Sequence, residues 1–98
     1  MATLDQGFWT LTADESGEAW LHTGGLIQYS VLISSGTGTL KIDVSYDKGT
    51  TWTAITDAEH TATVQKNITG VPSGTYIRPT LSGSASTPTF VIRAFSVD

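Results

Sequence analysis

Two runs of strict alternation constrain this chain more than any other feature. Ile27, Tyr29, Val31 and Ile33 take every second position of one segment; Leu40, Ile42, Val44 and Tyr46 do the same in another, with Lys41, Asp43 and Ser45 between them. Successive side chains on a strand point to opposite faces, so each set lines one side of a sheet. A 3.6-residue helical repeat would scatter the same residues around its axis. No segment keeps a helical period through three turns, and Asp57–His60 fits one helical turn at most. Ser35-Gly36-Thr37-Gly38 separates the two runs and reads as a hairpin linker, so the flanking strands are expected to pair at the centre of a sheet.

Further strand signals recur at short spacing between clusters of Gly, Ser, Asp and Pro. Strands are predicted over 8–12, 18–22, 26–34, 39–46, 51–55, 61–68, 75–82 and 89–97, with Ser82–Pro88 as a polar loop before the last. About eight short strands predict an all-β, antiparallel β-sandwich of jelly-roll type, with an immunoglobulin-like sandwich as the alternative. The 98 residues make one domain, 1–98. Charged residues are only 14% of the chain, against about 25% in typical soluble domains. Thr and Ser fill the difference, and Thr suits a pleated, half-wet surface. A chain of this size buries roughly 60–70% of its unfolded surface. It has no cysteine, so packing or association must supply the stability that disulfides give other small domains.

Two strands are apolar on both faces. The first carries Leu26 and Leu32 opposite its alternating set. The last carries Phe90, Ile92 and Ala94 on one face and Val91, Phe95 and Val97 on the other, with Arg93 among the second group. Such strands need cover on both sides. The second cover is either another subunit or an N-terminal segment bearing Phe8, Trp9 and Trp20, which are also the candidate interface residues.

Charge and chemistry exclude several function classes. The net charge is −4, and the five basic residues Lys41, Lys48, Lys66, Arg78 and Arg93 are dispersed. That disfavours nucleic acid and anionic membrane as partners. The carboxylates Asp5, Asp14, Glu15, Glu18, Asp43, Asp47, Asp57, Glu59 and Asp98 show no pair set up for glycoside hydrolysis. Asp14-Glu15-x-x-Glu18 reads as a solvated turn; neither it nor Asp57 with Glu59 has the spacing of a calcium loop. His22 and His60 stand alone, without metal-ligand spacing. No Gly-x-Ser-x-Gly elbow occurs, and Gly24-Gly25 and Gly36-x-Gly38 precede no helix and read as turns. No enzymatic activity, cofactor or metal is expected. Met1–Asp5 lacks the basic start and apolar run of a signal peptide, so the Asn67-Ile68-Thr69 sequon is read as chance.

The sharpest local motif is Ser45-Tyr46-Asp47-Lys48-Gly49-Thr50-Thr51-Trp52. Asp47 can accept from backbone N–H groups just downstream, and Gly49 can take the positive φ of a tight turn. Trp52 can start the returning strand with its ring beside Tyr46 or Val44. Ser45, Asp47, Gly49, Thr51 and Trp52 fit Ser-x-Asp-x-Gly-x-Thr-Trp, and the segment resembles the Asp-box of sialidases and other β folds. That resemblance implies a structural turn: in sialidases the boxes lie away from the active site and occur in several copies. This chain has one copy and only two arginines, Arg78 and Arg93. An exposed Tyr46 or Trp52 could instead stack on a sugar.

The stretch Asn67-Ile68-Thr69-Gly70-Val71-Pro72-Ser73-Gly74-Thr75-Tyr76-Ile77-Arg78-Pro79, the following Ser/Thr/Gly loop and the earlier Tyr-Asp-x-Gly-Thr-Thr-Trp hairpin resemble small β proteins of tailed-bacteriophage virions. The resemblance implies a capsid decoration (cement) or auxiliary protein. Such a protein would be made in the host cytoplasm and carried on the capsid surface. It would bind the major capsid protein or other virion proteins, most simply as a homotrimer. The rival expectation is a carbohydrate-binding or tail-fibre receptor-binding module using Trp9, Trp20, Tyr46 or Trp52.

Overall fold

The computed structural model describes residues 6–97. Asp5, Asp98 and the Met1–Asp5 leader reading lie outside them. The described chain is entirely antiparallel β-structure without a helix: β1 Gly7–Leu11, β2 Glu15–Ser16, β3 Trp20–Leu21, β4 Leu26–Ser45, β5 Thr53–His60, β6 Val64–Ile68 and β7 Tyr76–Val97. Two long strands organise everything else. β4 and β7 pair along nearly their whole length, from Leu26↔Val97 to Ser45↔Tyr76. The first half of β4 and the second half of β7 are flanked by β6 and β1; the other halves are flanked by β5 and by β2 and β3.

This corrects the expected hairpin at Ser35–Gly38. The runs at Ile27–Ile33 and Leu40–Tyr46 do not pair with each other; each pairs with β7, and the backbone passes through Ser35–Gly38 as one strand. The Ser82–Pro88 loop is likewise part of β7. A bend replaces each turn. The register shifts between Ile33 and Thr39: the two steps from Ser35 to Thr37 face four on β7, from Thr89 to Ala85. Ser86 and Thr87 absorb the extra length with φ of 62° and 54°. Gly36 has φ +74°, and a Cβ there would lie 2.5 Å from the Cα of Pro88. Bulges bend strands and increase their twist, which is how a strand passes from one layer to the next. Asp57–His60 is also corrected. It is strand rather than helical turn, with Asp57 at φ 65° beside the register shift between Lys41 and Asp43.

The bend folds the sheet over one core, compatible with a β-sandwich whose layers share their strands. Ile27, Tyr29, Val31, Phe90 and Ile92 come from one half, and Leu40, Ile42, Val44, Ile77 and Leu81 from the other, all within one buried cluster. Burying each such side chain contributes roughly 1.5–3 kcal/mol. Contacts cross between the halves. The Tyr29 hydroxyl meets His60 Nε2 at 2.5 Å, and Trp9 meets Trp20 edge-to-face at 6.4 Å between centroids. His22 is fully buried with both ring nitrogens engaged. Nε2 faces the Val71 carbonyl at 3.2 Å, which can only accept. Nε2 therefore donates to it, and Nδ1 pairs with the Ser96 hydroxyl at 2.8 Å.

Candidate functional site

The Ser45–Trp52 segment is a closed network between β4 and β5. Ser45 is buried at the end of β4. Its Oγ donates to Asp47 Oδ1 at 2.7 Å and accepts from the Gly49 N–H at 2.8 Å. Asp47 Oδ1 also accepts from the Thr51 N–H at 2.9 Å, and Oδ2 accepts from the Thr51 hydroxyl. Gly49 has φ +92° and Lys48 φ 60°, the left-handed turn geometry that glycine tolerates. The Thr51 hydroxyl first, then the Thr51 N–H and the Ser45 hydroxyl, hold the Asp47 carboxyl down at about 2. The polar side chains of Ser45, Asp47 and Thr51 are all bonded within the turn.

The two aromatics of the turn have different surroundings. Trp52 is half-buried; its Nε1 donates to the Gly49 carbonyl at 3.1 Å, and the Arg78 guanidinium lies 4.3 Å above its ring. Arg78 also reaches Asp43 Oδ2 at 3.4 Å. Asp43 accepts from the Thr80 hydroxyl at 2.6 Å. Tyr46 is 67% exposed. Trp52 therefore anchors the turn, and Tyr46 is presented by it.

A larger apolar surface lies on the outer face of the half-sheet formed by β1, β7, β4 and β6. Phe8 on β1 sits across from Arg93 on β7, while Val91 lies between Thr10 and Leu32. Phe8 is 47% exposed, Leu32 52% and Phe95 57%. The Arg93 guanidinium rests 4.8 Å from the Phe8 ring centroid, in the range of a cation–π contact. A hollow of about 660 Å³ opens between Phe8, Leu21, Arg93 and Phe95. Isolated exposed apolar residues need no explanation, but a contiguous group around an arginine has the composition of a protein-binding surface.

Of the three interface candidates read from the sequence, only Phe8 faces outward. Trp9 and Trp20 are core residues, 5% and 7% exposed, and Trp9 Nε1 donates to the Glu18 carbonyl at 2.8 Å. They cover the inner face. The outer face of β7 is left open at Phe95 and Val97. Arg93, Phe95 and Leu32 lie outside the three residues the sequence singles out, although the two-sided apolar patterns of β4 and β7 point to them. Asp14 anchors the bend of β7 by accepting from the Ser84 N–H at 2.8 Å. No group of three or more His, Cys, Asp or Glu side chains gathers in metal-binding geometry among the described residues. Comparison with protein-family models, with curated proteins and with solved structures finds no match.

Proposed function

We propose that this chain is a non-enzymatic structural subunit that binds other proteins through the outer face of β1 and β7. We further propose that its setting is the virion of a tailed bacteriophage, where it decorates the capsid as a trimer and stabilises the head shell. The observation that supports docking is the exposed Phe8–Arg93–Phe95 group beside Leu32. Aromatic residues and arginine are the types that most often dominate interface energetics. The virion setting is supported by the sequence resemblance alone. Mechanistically, each subunit would bury this face across a joint between capsid proteins, and a trimer would hold three such contacts at high effective concentration.

Sedimentation and mass measurement at high protein concentration test the assembly. A trimer is expected, and a strict monomer would count against it. Cryo-electron microscopy of the source particle tests the location. Density for this fold on the head surface, with β1 and β7 against the shell, is the expected result. Density confined to the tail, or none on the particle, rejects the decoration reading.

A further inference from the structure

β5 and β6 are consecutive strands that do not pair with each other. β5 pairs with β4 at Leu40–Val44, and β6 pairs with β4 at Ile27–Val31, in the other half of the folded sheet. They leave their short connection and diverge. The gap between them is a groove of about 500 Å³, within the roughly 300–1,000 Å³ range of small-ligand sites. Its lining is mixed. Val44, Ile55, Ile68 and Val71 supply apolar surface, while Thr53, Thr56, Asp57 and Lys66 add polar lining. Tyr46 stands at the same groove.

Two observations make this more than a crevice. Lys66 Nζ donates to the Asp57 carbonyl at 2.6 Å and so ties β6 to β5 across the gap. Asp57 itself is left-handed within a strand, φ 65°, in the bulge opposite Lys41–Asp43. Strained residues of this kind persist where the surroundings hold them, and they cluster at binding sites. Tyr46 is equally constrained, because the buried Ser45 before it and Asp47 after it both belong to the closed turn network. The turn thus fixes the backbone that carries this exposed aromatic.

We infer that this groove binds a neutral saccharide, with Tyr46 stacking on the C–H face of a pyranose ring. Asp57 and Lys66 take its hydroxyls as acceptor and donor. A carboxylate accepts hydroxyl protons and an ammonium donates to hydroxyl oxygens, which matches adjacent ring hydroxyls. The Tyr46 ring provides the flat apolar surface that such a ring requires. Trp52 does not line this groove, and Arg78 lies over its ring. This site shares no lining residue with the hollow at Phe8 and Phe95, so a docked subunit could carry both contacts.

The test uses the full chain, fluorescently labelled, on an array of neutral hexose and N-acetylhexosamine oligosaccharides. Titration of the responding oligosaccharides by NMR amide shifts follows. Binding with shifts at Thr53–Asp57 and Lys66–Thr69 is expected. Tyr46→Ala should weaken it at least tenfold with an unchanged Tm, because that side chain is exposed, while Tyr46→Trp should retain it. Phe95→Ser should leave saccharide binding intact and impair only shell binding, which separates this inference from the docking proposal. No response on the array, or binding that survives Tyr46→Ala, overturns the saccharide site.

Discussion

Asp47 shows how one side chain makes a turn. It receives two hydrogen bonds from Thr51 and one from Ser45, all of which favour the anion, so its pKa falls from 3.8 to about 2. A carboxyl with a depressed folded-state pKa contributes stability that is complete above its unfolded value and is lost as pH falls. Here the window runs from 3.8 down to about 2. Asp47→Asn should therefore have a lower Tm than the parent at neutral pH, and the gap should narrow through that window. Thermal melts at stepped pH would show it; a gap constant with pH would mean that the charge of Asp47 is immaterial. Gly49 is the second requirement, at φ +92°. Gly49→Val forces a β-branched residue into the left-handed region, at a cost of about 2 kcal/mol, or roughly 10 °C of Tm in a domain of this size. An unchanged Tm would show that the turn does not depend on glycine. These roles were legible in the sequence, because each bond in the turn joins residues no more than four apart.

At the scale of elements, legibility depends on whether a signal is local. The alternation at Ile27–Ile33 and Leu40–Val44 marked both strand segments and their inner faces, since period two is written in adjacent residues. What Gly36 and Gly38 do was not local. A hairpin and a bend both ask for glycine, and only the partner strand decides between them. The partner is β7, about fifty residues away in the chain at Thr37↔Ala85. Gly36→Ala is expected to destabilise the fold by more than the roughly 1 kcal/mol that left-handed geometry alone costs. The added Cβ meets backbone at Pro88, 2.5 Å away, and both long strands must shift. A urea midpoint unchanged by Gly36→Ala would mean that the bend is not fixed there. The contact of Tyr29 with His60 was equally hidden. Burial holds the tyrosine hydroxyl up at about 12. Burial first, and the charge of Lys66 second, lower the His60 pKa from 6.5. A lowered folded-state pKa gives stability that is present above 6.5 and declines as pH falls below it. In His60→Phe, urea midpoints measured across that range should lose this slope; a parent protein with no slope would reject the coupling.

For the whole molecule, the distribution of aromatic residues separates stability from function. The sequence placed Phe8, Trp9 and Trp20 together as possible cover, and alternation along β1 splits them: Trp9 points in and Phe8 points out. Trp20 joins Trp9 in the core because β3 lies against the other half of β7. The outer face therefore keeps Phe8, Leu32 and Phe95 with Arg93 among them, and nothing within the described chain covers it. Substitutions there should cost little folding stability, within about 0.5 kcal/mol for exposed sites. Their effect on association should be large if the face is an interface, since truncating a central aromatic anchor costs about 2 kcal/mol or more. That is roughly a thirtyfold loss of affinity per contact, multiplied across the subunits of an assembly. Phe8→Ser combined with Phe95→Ser should thus leave Tm within a few degrees of the parent while abolishing shell binding, as read by co-pelleting with head particles. Trp9→Ala should do the opposite. It should lower stability by about 3–5 kcal/mol through the cavity it opens beside Trp20, and any loss of assembly should track the unfolded fraction. A double variant that melts early, or one that still binds the shell, would break this division and move the interface away from β1 and β7.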